Sequence, residues 1–177
     1  MSALARISGR VFRFGDQIDT DLLAPGAYMK RPIEELASHC LEAIDPTFAS
    51  AVRPGDIVVA GFGFGIGSSR EQAAQALKVL GVGCVLAQSF ARIFYRNALN
   101  LGLPVLTVDQ IDALSPGASI EVYPLDGRVR VIATGETLPC APIPQFLIEM
   151  LEDGGLLAHL KRKMARAEIP AQLPLTR

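Results

Sequence analysis

The residues best suited to chemistry lie in a glycine-rich stretch at residues 61–71, which reads G-F-G-F-G-I-G-S-S-R-E. Two adjacent hydroxyls, Ser68 and Ser69, are followed by the guanidinium of Arg70. An arginine can bind a carboxylate through two parallel hydrogen bonds, and neighbouring hydroxyls can add hydrogen bonds or react. This combination predicts a site for a carboxylate or a polyanion.

The glycine-rich stretch follows an apolar run at residues 57–60 and precedes an Ala- and Leu-rich segment at residues 72–80. Because serine is a favoured N-cap, a helix is predicted to begin near Ser68 or Ser69, with Glu71 in a capping arrangement. Free amides and the helix dipole at such a turn attract anions. The pattern G-x-G-x-x-G fails in all three registers, and no G-K-S/T follows, so neither nucleotide fingerprint is present. The alternative is that the serines only cap the helix.

The elements that position this turn are read from alternating apolar runs and amphipathic segments. Buried strands are predicted at residues 57–60, 84–87 and 105–108, with helices at residues 72–80 and 89–100 between them. Strands and helices that alternate at this spacing predict an α/β core with parallel pairing. Outside this core the sequence predicts a strand at residues 7–14, a helix at residues 33–44 and a hairpin of residues 119–123 and 128–133. It also predicts a closing helix at residues 144–163 that Gly154 and Gly155 interrupt.

The composition restricts the class of protein. The chain has 177 residues, 50% of them hydrophobic, and a net charge of −1, which predicts one globular domain over residues 1–177. It lacks the basic field of a nucleic-acid binder and the long apolar run of a membrane span, so neither partner is expected. The cysteines Cys40, Cys84 and Cys140 are far apart without a C-x-x-C pair, so no metal or cluster held by this chain alone is predicted. Sparse cysteines suit the reducing cytoplasm.

Three motifs together carry a resemblance to a known family. They are G-D-Q-I-D-T-D at residues 15–21, G-I-G-S-S-R-E-Q-A at residues 65–73 and S-F-A-R-I-F-Y-R-N at residues 89–97. In this order they resemble the small subunits of 3-isopropylmalate dehydratase and their homoaconitase-like relatives in the aconitase superfamily. Residues 146–160 also resemble the family's closing helix, so the resemblance covers nearly the whole chain.

The resemblance implies an α/β fold, a swivelling β/β/α domain of the aconitase C-terminal type with a mixed sheet and flanking helices. Such a domain closes over a large subunit that carries a [4Fe-4S] cluster. The implied reaction is the exchange of 3-isopropylmalate and 2-isopropylmalate in leucine biosynthesis through an alkene diacid. By position in the motif, Ser68 would be the base that removes the proton, and Ser69 and Arg70 would hold a substrate carboxylate.

Serine is a weak base and needs a positive environment to act as one. The amides from Gly65 to Gly67, the helix N-terminus and Arg70 are expected to supply that environment. Family members often read N-F-G-C-G-S-S, whereas Gly63 and Ile66 stand in this chain in place of the Asn and the Cys. Ile66 adds apolar bulk and Gly63 removes a polar contact, so these changes bear on which hydroxy acid is bound.

A second indication of substrate is the loop at residues 28–31, Y-M-K-R, which resembles the family's specificity loop. Lys30 and Arg31 either pair with a distal carboxylate, which favours a tricarboxylic substrate, or are solvated surface charges. The alternatives are therefore the small subunit of a homoaconitase or of a 2,3-dimethylmalate- or citraconate-type hydratase. An alternative from another class is a non-catalytic carboxylate-binding module.

Further polar residues have two interpretations each. Asp19, Thr20 and Asp21 are expected either to position Arg70 and the specificity loop or to cap their own turn. Arg92 and Arg96, four residues apart on one predicted helix face, address either the substrate, the large subunit or a neighbouring salt bridge. Structural roles are predicted for His39 and His159, and core or interface roles for Phe90, Phe94 and Tyr95.

Overall fold

The computed structural model describes residues 4–167, and the seven strands found there form one mixed sheet. The strands are β1 (Ile7–Arg13), β2 (Ile57–Ala60), β3 (Cys84–Ala87), β4 (Val105–Thr107), β5 (Ser119–Tyr123), β6 (Arg128–Val131) and β7 (Thr137–Pro139). Their order in the sheet is β4-β3-β2-β1-β5-β6-β7. This architecture confirms the prediction of an α/β fold with a mixed sheet.

Helices flank the sheet and connect its parallel strands. They are α1 (Thr20–Leu23), α2 (Ile33–Ser38), α3 (Phe48–Ala51), α4 (Glu71–Val79), α5 (Arg92–Asn100), α6 (Gln145–Glu152) and α7 (Leu156–Ala167). Every residue of β2 and β3 is buried, as expected of parallel strands covered on both faces. Helix α4 packs Ala73, Ala74, Ala76 and Leu77 into the core. None of the helices within residues 4–167 is both long and apolar enough to cross a membrane.

The strand β1 joins two differently built halves of the sheet. On one side it runs parallel to β2, with Val11 opposite Ile57, and on the other it runs antiparallel to β5, with Gly9 opposite Ile120. A side chain on Gly9 would begin 2.1 Å from the carbonyl oxygen of Gly55, so only glycine fits at this point. The parallel core and the hairpin of β5 and β6 are both confirmed.

One helix prediction was too long, and another ended too early. The helix expected at residues 33–44 ends at Ser38, because Leu41 adopts a φ of 62° and donates its N–H to the carbonyl of Leu22. The closing helix, expected at residues 144–163, is divided into α6 and α7 at the predicted interruption, since Gly154 and Gly155 both have positive φ, and α7 continues to Ala167. The short helices α1 and α3 and the strand β7 were not predicted.

Candidate active site

The loops that follow β1, β2 and β3 meet beside the carboxyl ends of these parallel strands. The N–H of Gly65 donates to the carbonyl of Ile18 at 2.7 Å, and the N–H of Phe64 donates to the carbonyl of Ser89 at 3.0 Å. The N–H of Gly63 donates to the hydroxyl of the same Ser89 at 2.8 Å. The glycine-rich loop is therefore fixed by backbone hydrogen bonds to both of its neighbours.

Three glycines of this loop adopt conformations that other residues rarely adopt. The φ angles of Gly63, Gly65 and Gly67 are 74°, 81° and 108°. A Cβ on Gly65 would lie 2.2 Å from the ring of Phe94, and one on Gly67 would lie 2.9 Å from the hydroxyl of Thr20. The loop thus approaches α5 on one side and the start of α1 on the other because it carries no side chains there.

Ser68 is an exposed residue at the edge of the loop, and its hydroxyl lies next to that of Thr20, which is buried. The Ser68 N–H donates to the Thr20 Oγ1 at 3.0 Å, and the two hydroxyl oxygens are 3.2 Å apart. Because Thr20 accepts the backbone bond, its own hydroxyl hydrogen is available to donate to the Ser68 Oγ. This arrangement can stabilise negative charge on the Ser68 oxygen.

Arg70 is oriented by residues of the first loop. Its Nη1 donates to the Asp21 Oδ1 at 2.7 Å and to the carbonyl of Ala24 at 3.0 Å. The Asp21 carboxylate also accepts the Gly26 N–H at 3.2 Å. The guanidinium of Arg70, and then the Gly26 amide, hold the pKa of Asp21 below its usual range. Asp19 does not contact Arg70. Its Oδ1 accepts the N–H of Leu22 and thereby caps α1, the helix that contains Asp21.

The prediction that Ser68 or Ser69 caps α4 was wrong. The helix begins at Glu71, and its N-cap is Arg70, whose extended backbone has φ −60° and ψ 110° and whose side chain makes no capping bond. The hydroxyl of Ser68 faces Thr20 instead, and the carbonyl of Ser69 accepts a long hydrogen bond of 3.5 Å from Asn97. The serines are thus not used to begin the helix.

An open cleft of about 550 Å³ lies against Ser68. Gly65 and Ser68 line it from the glycine-rich loop, and Arg92, Ile93 and Arg96 line it from the beginning of α5. The wall formed by Ile93 was not predicted, and neither was the contact of Asn97 with Ser69. The sequence signal was available, because residues 92, 93, 96 and 97 fall on neighbouring faces of one helix at spacings of three and four.

The structure does not bring Lys30 and Arg31 to this cleft. Both are exposed, and the Arg31 Nε lies 3.7 Å from the Glu35 Oε1 on the following helix. Within residues 4–167 Lys30 makes no hydrogen bond or ion pair. The loop that carries them is anchored by Tyr28, whose ring stacks on that of His39 with centroids 3.6 Å apart.

The cysteines do not form a site for an iron-sulfur cluster. Among residues 4–167 no group of three His, Cys, Asp or Glu side chains could hold a metal ion. Burial raises the pKa of the Cys40 and Cys84 thiols far above the usual range, and it raises that of Cys140 to about 11. Iron and zinc bind the thiolate form, which these surroundings disfavour. The described residues of this chain therefore do not fit such a cluster.

The chain is similar to known proteins over most of its length. Residues 23–111 match the model of the aconitase C-terminal domain. The chain is 48% identical over 158 residues to 3-isopropylmalate dehydratase small subunit 1 of Thermotoga maritima, covering 88% of this chain and 95% of that protein. It is 49% identical to the methanogen homoaconitase small subunit of Methanothermobacter thermautotrophicus, covering 86% of this chain and 89% of that one. The crystal structure of 3-isopropylmalate dehydratase from Methanocaldococcus jannaschii superposes with a TM-score of 0.85 at 41% identity, covering 92% and 98% of the two chains.

Proposed function

The chain belongs to the aconitase C-terminal domain family, and from this membership we propose that it is the small subunit of a two-subunit hydro-lyase. Its substrate is a 2-hydroxy dicarboxylate, and the reaction is the exchange of 3-isopropylmalate and 2-isopropylmalate in leucine biosynthesis. The whole chain acts in the cytoplasm as one swivelling domain that closes over a large subunit. The small-subunit names of its relatives and the single sheet support this assembly.

The observation that carries the proposal is the pair of hydroxyls of Ser68 and Thr20 at the edge of the cleft. An exposed serine oxygen with a threonine donor behind it is suited to accept a proton from a bound substrate. Electrostatic stabilisation by fixed donors is the usual means by which a weak base is made effective.

In the proposed reaction Ser68 acts as its alkoxide. Its Oγ takes a proton from the carbon adjacent to the hydroxyl-bearing carbon of the substrate and becomes a neutral hydroxyl. The Thr20 hydroxyl donates to that oxygen before the proton arrives and accepts from it afterwards. Loss of water leaves an alkene diacid, and water added in the other orientation moves the hydroxyl by one carbon. A [4Fe-4S] cluster, which the residues described between 4 and 167 do not fit, would be held by the large subunit and would supply a Lewis acid for the departing hydroxyl.

Ser69 and Arg70 hold one substrate carboxylate in this proposal. The Nη1 of Arg70 is used by Asp21 and Ala24, and a guanidinium has further N–H groups for a ligand. Asp19, Thr20 and Asp21 are positioning residues, while Gly65 and Gly67 provide the close approach of the loop. Contacts within the loops support the positioning roles, and the roles of Ser69 and Arg70 in binding rest on their place in the motif.

A second candidate is a homoaconitase small subunit. The observation that favours it is that Lys30, exposed beside Arg31, has no ion pair with any residue from 4 to 167. The similarity to the methanogen homoaconitase small subunit also favours it. If closure of the domain carries the loop towards the substrate, Lys30 and Arg31 would bind a third carboxylate. Isopropylmalate is preferred as the substrate because Arg31 already lies beside Glu35.

The test is co-expression with a cluster-bearing large subunit from the same genome and purification without oxygen. Isopropylmalate, homoaconitate and 2,3-dimethylmalate are assayed side by side by the ultraviolet absorbance of the alkene. Turnover of isopropylmalate supports the proposal, whereas preference for homoaconitate supports the second candidate. A stable complex that turns over none of them contradicts both.

A further inference from the structure

Two arginines in the cleft have no role in the function described so far. Arg92 and Arg96 both line the cleft against Ser68, and both are exposed. Neither side chain makes a hydrogen bond or an ion pair with any residue from 4 to 167. Arg70, by contrast, is held by Asp21 and does not line this cleft. The unengaged positive charges beside Ser68 are therefore those of α5.

The wall that carries these arginines is fixed relative to Ser68. The N–H of Ala91, the N-cap of α5, donates to the carbonyl of Phe64 at 2.9 Å. One turn later the ring of Phe94 packs against Gly65, where no side chain could be accommodated. Because these contacts join α5 to the glycine-rich loop, a ligand that reaches Ser68 also meets the arginine face.

The placement of the two cations is unfavourable without a ligand. Arg92 is in the first turn of α5, which contains no acidic residue, and a cation is disfavoured at the positive end of a helix dipole. Arg96 follows at a spacing of four, and like charges at this spacing repel each other. A bound anion would relieve both effects.

We propose that Arg92 and Arg96 form a second carboxylate subsite, separate from that of Arg70. It binds the carboxylate on the carbon that gives its proton to Ser68, and the assignment of that carbon rests on the proposed function. Removal of this proton shifts charge into that same carboxylate, so the two guanidinium groups stabilise the transition state as well as the bound substrate. Ile93, 44% exposed in the same wall, contacts the alkyl group and favours a branched dicarboxylate.

The experiment compares Arg92→Gln and Arg96→Gln in the complete two-subunit enzyme with Arg166→Gln, an exposed arginine of α7 that does not line the cleft. Each cleft variant is expected to lower kcat/KM for isopropylmalate by about 10- to 100-fold, the usual effect of losing a charge-assisted hydrogen bond. The Lys variants should recover part of this loss, since charge returns without the bidentate geometry. The control should be unchanged.

A second measurement separates this inference from the proposed function. Isopropylsuccinate has both carboxylates but no hydroxyl, so its binding to the complex, measured by calorimetry, does not require turnover. Binding that weakens at least about tenfold in both cleft variants supports the subsite even if isopropylmalate is not the substrate. Binding or kcat/KM equal to the wild type overturns it. Loss of subunit affinity with unchanged substrate constants also overturns it and assigns the arginines to the partner interface.

Discussion

Two carboxylate clusters of this molecule use the same chemistry in different surroundings. Beside the cleft, Asp21 binds Arg70, and its side chain is 67% exposed. Between α6 and α7, Asp153 accepts from His159 at 2.7 Å and also binds Arg162, and its side chain is only 9% exposed. Exposed ion pairs contribute little to stability, so the first cluster is expected to orient a side chain and the second to hold two helices together.

The largest expected effect tests whether the cleft is catalytic. Ser68→Ala should lower kcat by about 10³-fold or more, because the proposed base is removed, while substrate binding persists. Its midpoint of thermal unfolding should match the wild type, since Ser68 is exposed. Steady-state kinetics of the complex and calorimetry of the chain check both points. Retained turnover would assign the proton to another residue.

The next effect concerns the backbone beneath the site. Gly65→Ala should destabilise the fold by about 3 kcal/mol, because its Cβ would enter the ring of Phe94 and its φ is 81°. Gly135→Ala is the matched control, with a φ of 73° and no atom within 4 Å of the added Cβ. Chemical denaturation of both variants separates steric overlap from backbone strain. Equal losses would show that strain alone accounts for the effect.

A smaller effect is expected when the orienting carboxylate is removed. Asp21→Asn should lower kcat/KM by about tenfold, because Arg70 loses its ion pair and samples other orientations. The unfolding midpoint should not change, because the pair is exposed. If this variant lost stability and retained activity, Asp21 would stabilise the fold and would not orient Arg70.

Lowering the pH should remove the stability that the Asp153 cluster contributes. Binding of His159, and then of Arg162, holds the pKa of Asp153 below its usual range. A lowered pKa contributes stability above the ordinary aspartate value, and this contribution disappears as the pH falls through the folded-state pKa. Below about pH 4 the wild type should therefore lose more stability than Asp153→Asn. Parallel unfolding midpoints from pH 6 to pH 3 would contradict a stabilising role.

The smallest effect is expected in the loop at residues 28–31. Arg31→Gln should change kcat/KM for isopropylmalate by less than about twofold, because Arg31 is exposed and lies beside Glu35. The same assay with homoaconitate serves as the comparison. A selective loss with homoaconitate would show that the loop reaches a third carboxylate after closure.

The sequence predicts most of the sheet and less of its connections. The strands β2 and β3 are continuous apolar runs between turn residues, so their position and parallel pairing could be inferred. The strand β7 contains Pro139, and three residues with a proline carry little strand signal. The end of α2 was also not predicted. Leu41 leaves helical geometry and is buried in the core, which is a tertiary effect that no local pattern encodes.

The candidate site was also only partly predictable, because local motifs are visible in a sequence and contacts between distant residues are not. The motif predicted Ser68 and Arg70 as candidate site residues, and the nearby acidic run suggested Asp21 as a partner for Arg70, a contact that the structure contains. The specific pairing of Thr20 with Ser68 was not predicted, because the two residues are 48 positions apart and meet only through loop packing. The start of α4 was misplaced for the same reason, since Ser68 contacts the distant Thr20 and does not cap the helix.

The position of β1 between the two halves of the sheet also has a consequence for biosynthesis. Its parallel neighbour β2 and the strands β3 and β4 beyond it are complete once Thr107 has emerged from the ribosome. Its antiparallel neighbour β5 is complete only after Tyr123 has emerged. During that interval one edge of β1 has no partner and can pair with other chains. Slow elongation between these two points is therefore expected to raise aggregation and the demand for chaperones.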